Sequence, residues 1–287
     1  MAVEASLQEF DGVALPTPEL RAAAEAQLGE TDAVRATALE ALRTELLKRV
    51  PTDGPLPFDT SDTALVFLLR ARSFDVAAAA QLAVNARAFR LKYPELHAIS
   101  REAILTCAAI GYLQVLPQLG REGHRVITVR PARIDLDRHP VADISPFQMW
   151  FAERLKHDPH VQVHGLASLS DYGGMTLTML VRHFQLLPFK TRLDYQRDVY
   201  ASRTGLIMLW RLPAFLRAIF LLARGLLPSQ MTAHVRLCAD GVPGEAAELL
   251  DAAHVPRAFG GDMDEAEADA HMLAWTERQL ELEALGL

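Results

Sequence analysis

The sequence predicts an α/β protein with a mixed, largely parallel sheet and flanking helices, preceded by an all-helical N-terminal domain. Three observations predict it. Apolar residues recur at helical spacing from Asp32 to about residue 98. Beyond Ile99 the pattern changes to short apolar runs of strand length that alternate with helical segments, which implies crossover connections between parallel strands. The chain of 287 residues is 50% apolar and 23% charged, enough to bury a sizeable core without a disulfide or metal staple. The expected organisation is an arm over residues 1–30, a helical domain over 31–98 and an α/β domain with a C-terminal helix over 99–287.

Each element has its own signal. From Asp32 to Val50, Val34, Ala38, Leu42, Leu46 and Leu47 fall on one helical face, and Pro51 follows. Asp59 to Asp62 offer N-caps for a second helix through Leu65 to Leu69, and the alanine-rich stretch from Val76 to Leu91 makes a third that stops before Pro94. Strands are expected at Leu113–Leu116, Val126–Val129, Val161–Leu169 and Gly205–Trp210, with helices near 143–157 and 175–187 between them. Met272, Leu273, Trp275, Leu280 and Leu282 mark a final helix in an acidic C-terminal segment.

Charge and composition exclude several functions. A net charge of −7 gives no broad attraction for nucleic-acid phosphates, so any anion site is a local patch. Cys107 and Cys238 suit a reducing compartment as buried thiols, the N-terminus lacks the pattern of a secretory signal, and the chain reads as cytoplasmic. No apolar window is long enough to span a bilayer. There is no phosphate-binding loop, dinucleotide fingerprint or paired-cysteine motif, so no cofactor is expected.

The segment Pro213 to Leu227 (PAFLRAIFLLARGLL) carries the strongest functional signal. Arg217 and Arg224 share one narrow stripe, while Phe215, Leu216, Ile219, Phe220, Leu222 and Leu226 cover most of the rest. A helix so nearly apolar all round buries more than one face. It is either a core helix or a movable lid whose inner face closes an apolar cavity and whose outer face meets a bilayer. Phe147, Trp150, Phe151 and Leu155 line one face of the helix near 143–157. The small residues Gly165, Ala167, Ser168 and Ser170 leave room above a strand. That combination suits either an apolar pocket with a few polar anchors or ordinary sheet–helix packing.

The chain resembles the CRAL-TRIO family, particularly its branch of tocopherol-transfer and retinaldehyde-binding proteins. Asp62 to Asp75 (DTALVFLLRARSFD) is similar to that family's D-x-F-L-L-R-F-L-R-A-R-x-F-D, and Tyr93-Pro94-Glu95-Leu96 to its Y-P-E-L. Asp171-Tyr172-Gly173-Gly174 resembles the D-x-x-G turn, and Val255 to Gly261 (VPRAFGG) resembles L-P-x-x-Y-G-G. The resemblance implies an apolar cavity holding a small hydrophobic ligand of tocopherol, retinoid or carotenoid type, in a monomer that touches membranes transiently. It implies lining by Phe147 and Phe151, by Leu166, Ser168 and Ser170, by Leu177, Leu180 and Phe184, and by Tyr200, Ile207, Phe215 and Ile219. The gate would be Phe215, Leu216, Ile219, Phe220 and Leu222. Arg72 and Arg203 match positions that meet phosphoinositide headgroups. The chain departs from the family at Gly205, Met231 and Val235, where basic residues are expected, and at Trp210-Arg211-Leu212-Pro213, where the family has I-N-x-P.

Two other functions compete. A module that senses phosphoinositides or exchanges phospholipid calls for a fuller basic groove. A serine hydrolase, with Ser168 or Ser170 as nucleophile helped by Asp171 and His183, calls for a nucleophile elbow that the sequence lacks. His157, His160 and His164 are spaced as if for a metal, but Pro159 breaks the helix between them and His164 falls on an expected strand, so no metal is expected.

Overall fold

The structure is a computed structural model that describes residues 13–49, 61–183, 191, 194–200, 203–224, 233–238 and 243–286. The chain divides into two units, one of Met1–His97, Phe151–Gly165 and Phe189–Arg203, the other of Ala98–Trp150, Leu166–Pro188 and Thr204–Leu287.

The first unit is helical. It contains α1 (Pro18–Leu28), α2 (Asp32–Arg49), α3 (Asp62–Ala71) and α4 (Val76–Lys92). The starts are set by side-chain caps: Thr17, Ser61 and Asp75 each accept a hydrogen bond from a backbone amide of the helix that follows. Leu39, Leu42 and Leu46 of α2 meet Leu65 and Leu69 of α3 and Ala79 and Ala83 of α4 in one apolar cluster. On α3, Arg70 is fully buried. Its guanidinium donates to both oxygens of Glu30 (2.8 and 2.7 Å), to Gln162 Oε1 (2.6 Å) and to the Val13 carbonyl (2.5 Å). A buried charge is tolerable only when paired in this way.

One expectation is corrected in this unit. Val161 to Val163 are not the start of a strand but lie in a short helix, α7 (Pro159–Val163). The Asp158 carboxylate accepts from the His160 amide at 2.8 Å, Pro159 occupies the first turn, and Gly165 at φ 88° ends the helix. His164 therefore caps a helix rather than sitting on a strand. Its ring stacks against His160 at 6.1 Å and its Nδ1 pairs with Gln27 Nε2 at 3.3 Å. Among the described residues no histidine, cysteine or carboxylate group is arranged to hold a metal.

The second unit holds α5 (Arg101–Ala109), β1 (Leu113–Leu119), β2 (Arg125–Val129), the first part of α6 (Val141–Leu155), β3 (Leu166–Asp171) and α8 (Leu177–His183). It continues with β4 (Thr204–Trp210), α9 (Ala214–Arg224), β5 (Val235–Leu237), α10 (Pro243–Leu249) and α11 (Glu265–Ala284). The five strands form one sheet in the order β1-β2-β3-β4-β5. The β1–β2 pair is antiparallel and the other three are parallel, so the sheet is mixed and mostly parallel as expected. The strand β5 is a structural addition, since three residues carry too little pattern to be seen in sequence.

One face of the sheet is packed shut. Val126, Ala167, Leu169, Met208 and Trp210 from the strands meet Ala246, Leu249 and Leu250 around α10, together with Val255, Phe259, Met263 and Ala268. Each large apolar side chain buried there contributes about 1.5–3 kcal/mol. Gly261 belongs to the same corner: a Cβ on it would lie 2.0 Å from the Val255 carbonyl oxygen, so only glycine fits. The start of α11 is clamped to the sheet by polar contacts. Gln114 donates to Asp269 at 2.6 Å and accepts from Thr128 at 2.7 Å, while Arg133 forks onto Asp269 at 3.1 Å on both oxygens.

Cys107 and Cys238 are buried free thiols, and burial pushes both up to about 12. Asp143 acts in the same direction on Cys107, and Glu245 on Cys238. No helix among the described residues is long and apolar enough to cross a membrane.

Candidate functional site

The other face of the sheet carries four of the expected site residues. Partners directly opposite in a ladder project to the same side, so register alone fixes the face. One row runs Val115, Ile127, Ser168, Ile207 and Val235 across all five strands. The next runs Leu113, Val129, Ser170, Leu209 and Leu237. Each row is apolar except for the serine at its centre. Ser168 and Ser170 are both buried, and Ser170 Oγ lies 3.4 Å from Ser168 Oγ, leaving hydroxyl capacity on this face for another partner. Leu166, Ile207 and Val235 are only half-buried. Four expected lining residues, Leu166, Ser168, Ser170 and Ile207, are thus brought onto one surface.

The segment after β4 forms α9. Phe215, Leu216, Ile219 and Phe220 make a half-buried stripe, spaced as one helical face. Leu221 (55% exposed) and Leu222 (76% exposed) stand in solvent between the exposed Arg217 and Arg224. Leu222, grouped in sequence with the gate's apolar side, therefore lies on its outer side. The helix is a lopsided amphipath with leucines among its cations, a pattern suited to an apolar–aqueous boundary. Residues 225–227 of the expected gate lie outside the described residues.

The remaining expected residues are distributed less uniformly. Phe147 is fully buried, with ring centroids 5.9 Å from both Tyr112 and Trp150. Trp150 in turn meets Trp275 at 6.1 Å and donates its indole N–H to Glu283 at 3.0 Å. This face of α6 is therefore tied to α11. Phe151 is buried, as is Leu180 on α8, but Leu177 is 57% exposed, as is neighbouring Val181 at 58%. Phe184 lies outside the described residues. In the helical unit, Tyr200 is half-buried beside Tyr195 at 6.1 Å, and Tyr195 packs on Phe89 at 4.9 Å.

Arg72 and Arg203 belong to the helical unit and both are half-buried. Burial depresses each guanidinium below its usual range, opposed at Arg72 by the charge of Asp198. Arg203 Nη1 is buried without a hydrogen-bond partner among the described residues, a group able to take an anionic oxygen. At Gly205, where the resemblance calls for a further basic residue, the space is filled. A Cβ there would lie 2.1 Å from Cδ2 of His124, and the Gly205 carbonyl meets His234 Nδ1 at 2.8 Å. Sequence reading missed this histidine filling because His124 comes from the distant β1–β2 turn.

The residues of a hydrolase do not assemble. The Asp171 carboxylate is occupied by Arg211, whose Nε donates to Oδ1 at 2.7 Å and whose Nη2 donates to Oδ2, and by the Gly173 amide at 2.9 Å. The Ser168 hydroxyl faces Ser170, not a histidine.

Comparison with known proteins agrees with this architecture. The family model "CRAL/TRIO domain" matches residues 110–261, more than half of the chain. Proteins described as "Alpha-tocopherol transfer protein-like" from Homo sapiens and Pongo abelii are each 27% identical over 262 residues, covering 90% of this chain and 75% of theirs. The Mus musculus counterpart matches to the same extent. The crystal structure of Sfh5 superposes with a TM-score of 0.54 at 12% identity, over 88% of this chain and 99% of that one, a likeness of fold alone. By the match over residues 110–261, which takes in the sheet from β1 to β5 and the whole of α9, this chain belongs to the CRAL/TRIO domain family.

Proposed function

We propose that the protein is a non-enzymatic carrier that binds a small hydrophobic ligand and transfers it between membranes. The observation that carries this reading is the second face of the sheet, two apolar rows each with a buried central serine, next in the chain to a helix that is half covered and half exposed. Burial of about 300 Å² of ligand on such a face offers about 7 kcal/mol before association costs. The serines supply one or two hydrogen bonds to a polar head, which favours ligands of tocopherol, retinoid or carotenoid type that pair a long apolar body with few polar atoms. The curated relatives named as tocopherol-transfer-like support the same class. The half-buried stripe of Phe215, Leu216, Ile219 and Phe220 is the gate's inner side, and Leu221 and Leu222 meet the bilayer when it opens. A cytoplasmic monomer visiting membranes fits this cycle.

The test is native mass spectrometry of the purified chain followed by lipid extraction, then titration with a fluorescent chromanol. A bound apolar molecule, released by the substitution of Ser168 and Ser170 with leucine, is expected. An empty protein that binds no chromanol, retinoid or carotenoid probe would refute the reading.

Arg203 Nη1, buried and without a partner among the described residues, favours a second activity, recognition of phosphoinositide headgroups with Arg72. Vesicle binding that rises with phosphoinositide content and is lost in Arg203→Ala is the expected result. Equal binding to neutral vesicles refutes it.

A further inference from the structure

We infer that Arg211 is the positioning residue of the gate, an electrostatic latch that ties the root of α9 to the end of β3. The inference rests on the reading of α9 as a moving element and adds what holds it shut. Arg211 is the residue between β4 and the Leu212-Pro213 step into α9. It takes a φ of 47°, a region that a non-glycine residue occupies only against a local cost.

What sustains that backbone is the fork onto Asp171. Arg211 Nε donates to Oδ1 at 2.7 Å, and Nη2 donates to Oδ2. The Gly173 amide holds Oδ1 from the other side at 2.9 Å. Room for the guanidinium exists because residue 173 has no side chain: a Cβ there would lie 2.6 Å from Arg211 Nε. The two ends of the latch are unequal. The Asp171 side chain is 6% exposed and that of Arg211 is 54% exposed. A buried carboxylate stripped of its bidentate partner keeps one amide donor among the described residues, so swinging the hinge away strands a charge. The closed position is therefore favoured at the hinge itself, apart from any apolar contact of the Phe215 stripe.

Amide hydrogen exchange on the full chain without added ligand tests the latch. Arg211→Asn is the informative variant, because asparagine accepts a positive φ more readily than arginine and so removes the fork while easing the backbone. Asp171→Asn keeps the side-chain shape and breaks the pair from its other end. In both variants the amides of α9 are expected to exchange about tenfold faster, with α6 and α11 unchanged and Arg211→Lys intermediate. Unaltered exchange in α9 overturns the inference. So does a loss of protection spread equally over α6 and α11, which would make the pair a general structural contact. A fluorescent-chromanol transfer assay to phosphatidylcholine vesicles separates the two readings. Faster exchange in α9 with unchanged transfer leaves the latch standing and removes the gate from the carrier cycle.

Discussion

Replacing Leu221 and Leu222 together by serine isolates the outer side of the gate, because neither residue belongs to the half-buried stripe. Full burial of a leucine is worth about 1.5–3 kcal/mol. Leu221 is 55% exposed and Leu222 is 76% exposed, so those fractions of the burial energy remain to be gained when α9 lies in a bilayer surface. The pair then supplies about 2–4 kcal/mol of membrane affinity, which at 1.36 kcal/mol per decade is a change from about 30-fold to several hundred-fold. The assay is co-sedimentation with phosphatidylcholine vesicles containing a minority of anionic lipid, at fixed salt. Arg217 and Arg224 flank the leucines, so raising the salt weakens the wild-type chain by the electrostatic share and leaves the apolar share. The double variant should lose most vesicle binding while keeping its melting temperature. A partition coefficient within about threefold of wild type would falsify the assignment of this surface to the membrane.

Other expectations concern stability. Arg70→Ala leaves Glu30 and Gln162 facing a void and is expected to cost about 3–5 kcal/mol, read by denaturant melts; a cost below about 1 kcal/mol would show that the network is dispensable. Gly261→Ala drives a Cβ against the Val255 carbonyl and should destabilise by about 1–3 kcal/mol, whereas Gly286→Ala, with open space around it, should cost less through contacts. His157 is held neutral by burial first and by Lys156 and Arg154 second, which lower it from 6.5 to about 4. Its folded-state value lies below its unfolded one, so the unfolded chain binds the proton first. The stability it contributes is present above pH 6.5 and declines as pH falls from there to about 4. His97 is shifted in the same direction, by burial and then Arg90. A His157→Gln variant should show a flatter loss of melting temperature over that window; an unchanged slope would assign the acid sensitivity to other groups.

Local signals made much of the fold legible. Ser61 caps a helix where the sequence offered caps, and the apolar runs at 113–116, 126–129 and 205–210 are strands. The error at Val161 is instructive. Three β-branched or long residues read as a strand, but the preceding Asp158-Pro159 is a helix start, and that capping chemistry won. The two serines were readable as small polar residues on a strand. Their place at the centre of apolar rows was not, because register depends on which strands pair. Arg70 and its partner Gln162 lie 92 residues apart, and Arg211 lies 40 from Asp171. Neither pairing leaves a trace in spacing. The departure at Trp210-Arg211 from the resembled motif was visible, and its fork onto Asp171 needed coordinates.

The helical unit is assembled from three separate stretches, and this bears on how the molecule is made. Val163 packs with Leu15, Leu20 and Leu28, and Gln162 completes the coordination of Arg70. A nascent chain that has emerged only as far as Leu96 must wait for more than sixty further residues before those leucines are covered. A fragment ending there should be sticky on its own, and adding a peptide of residues 151–165 in trans should restore part of its solubility.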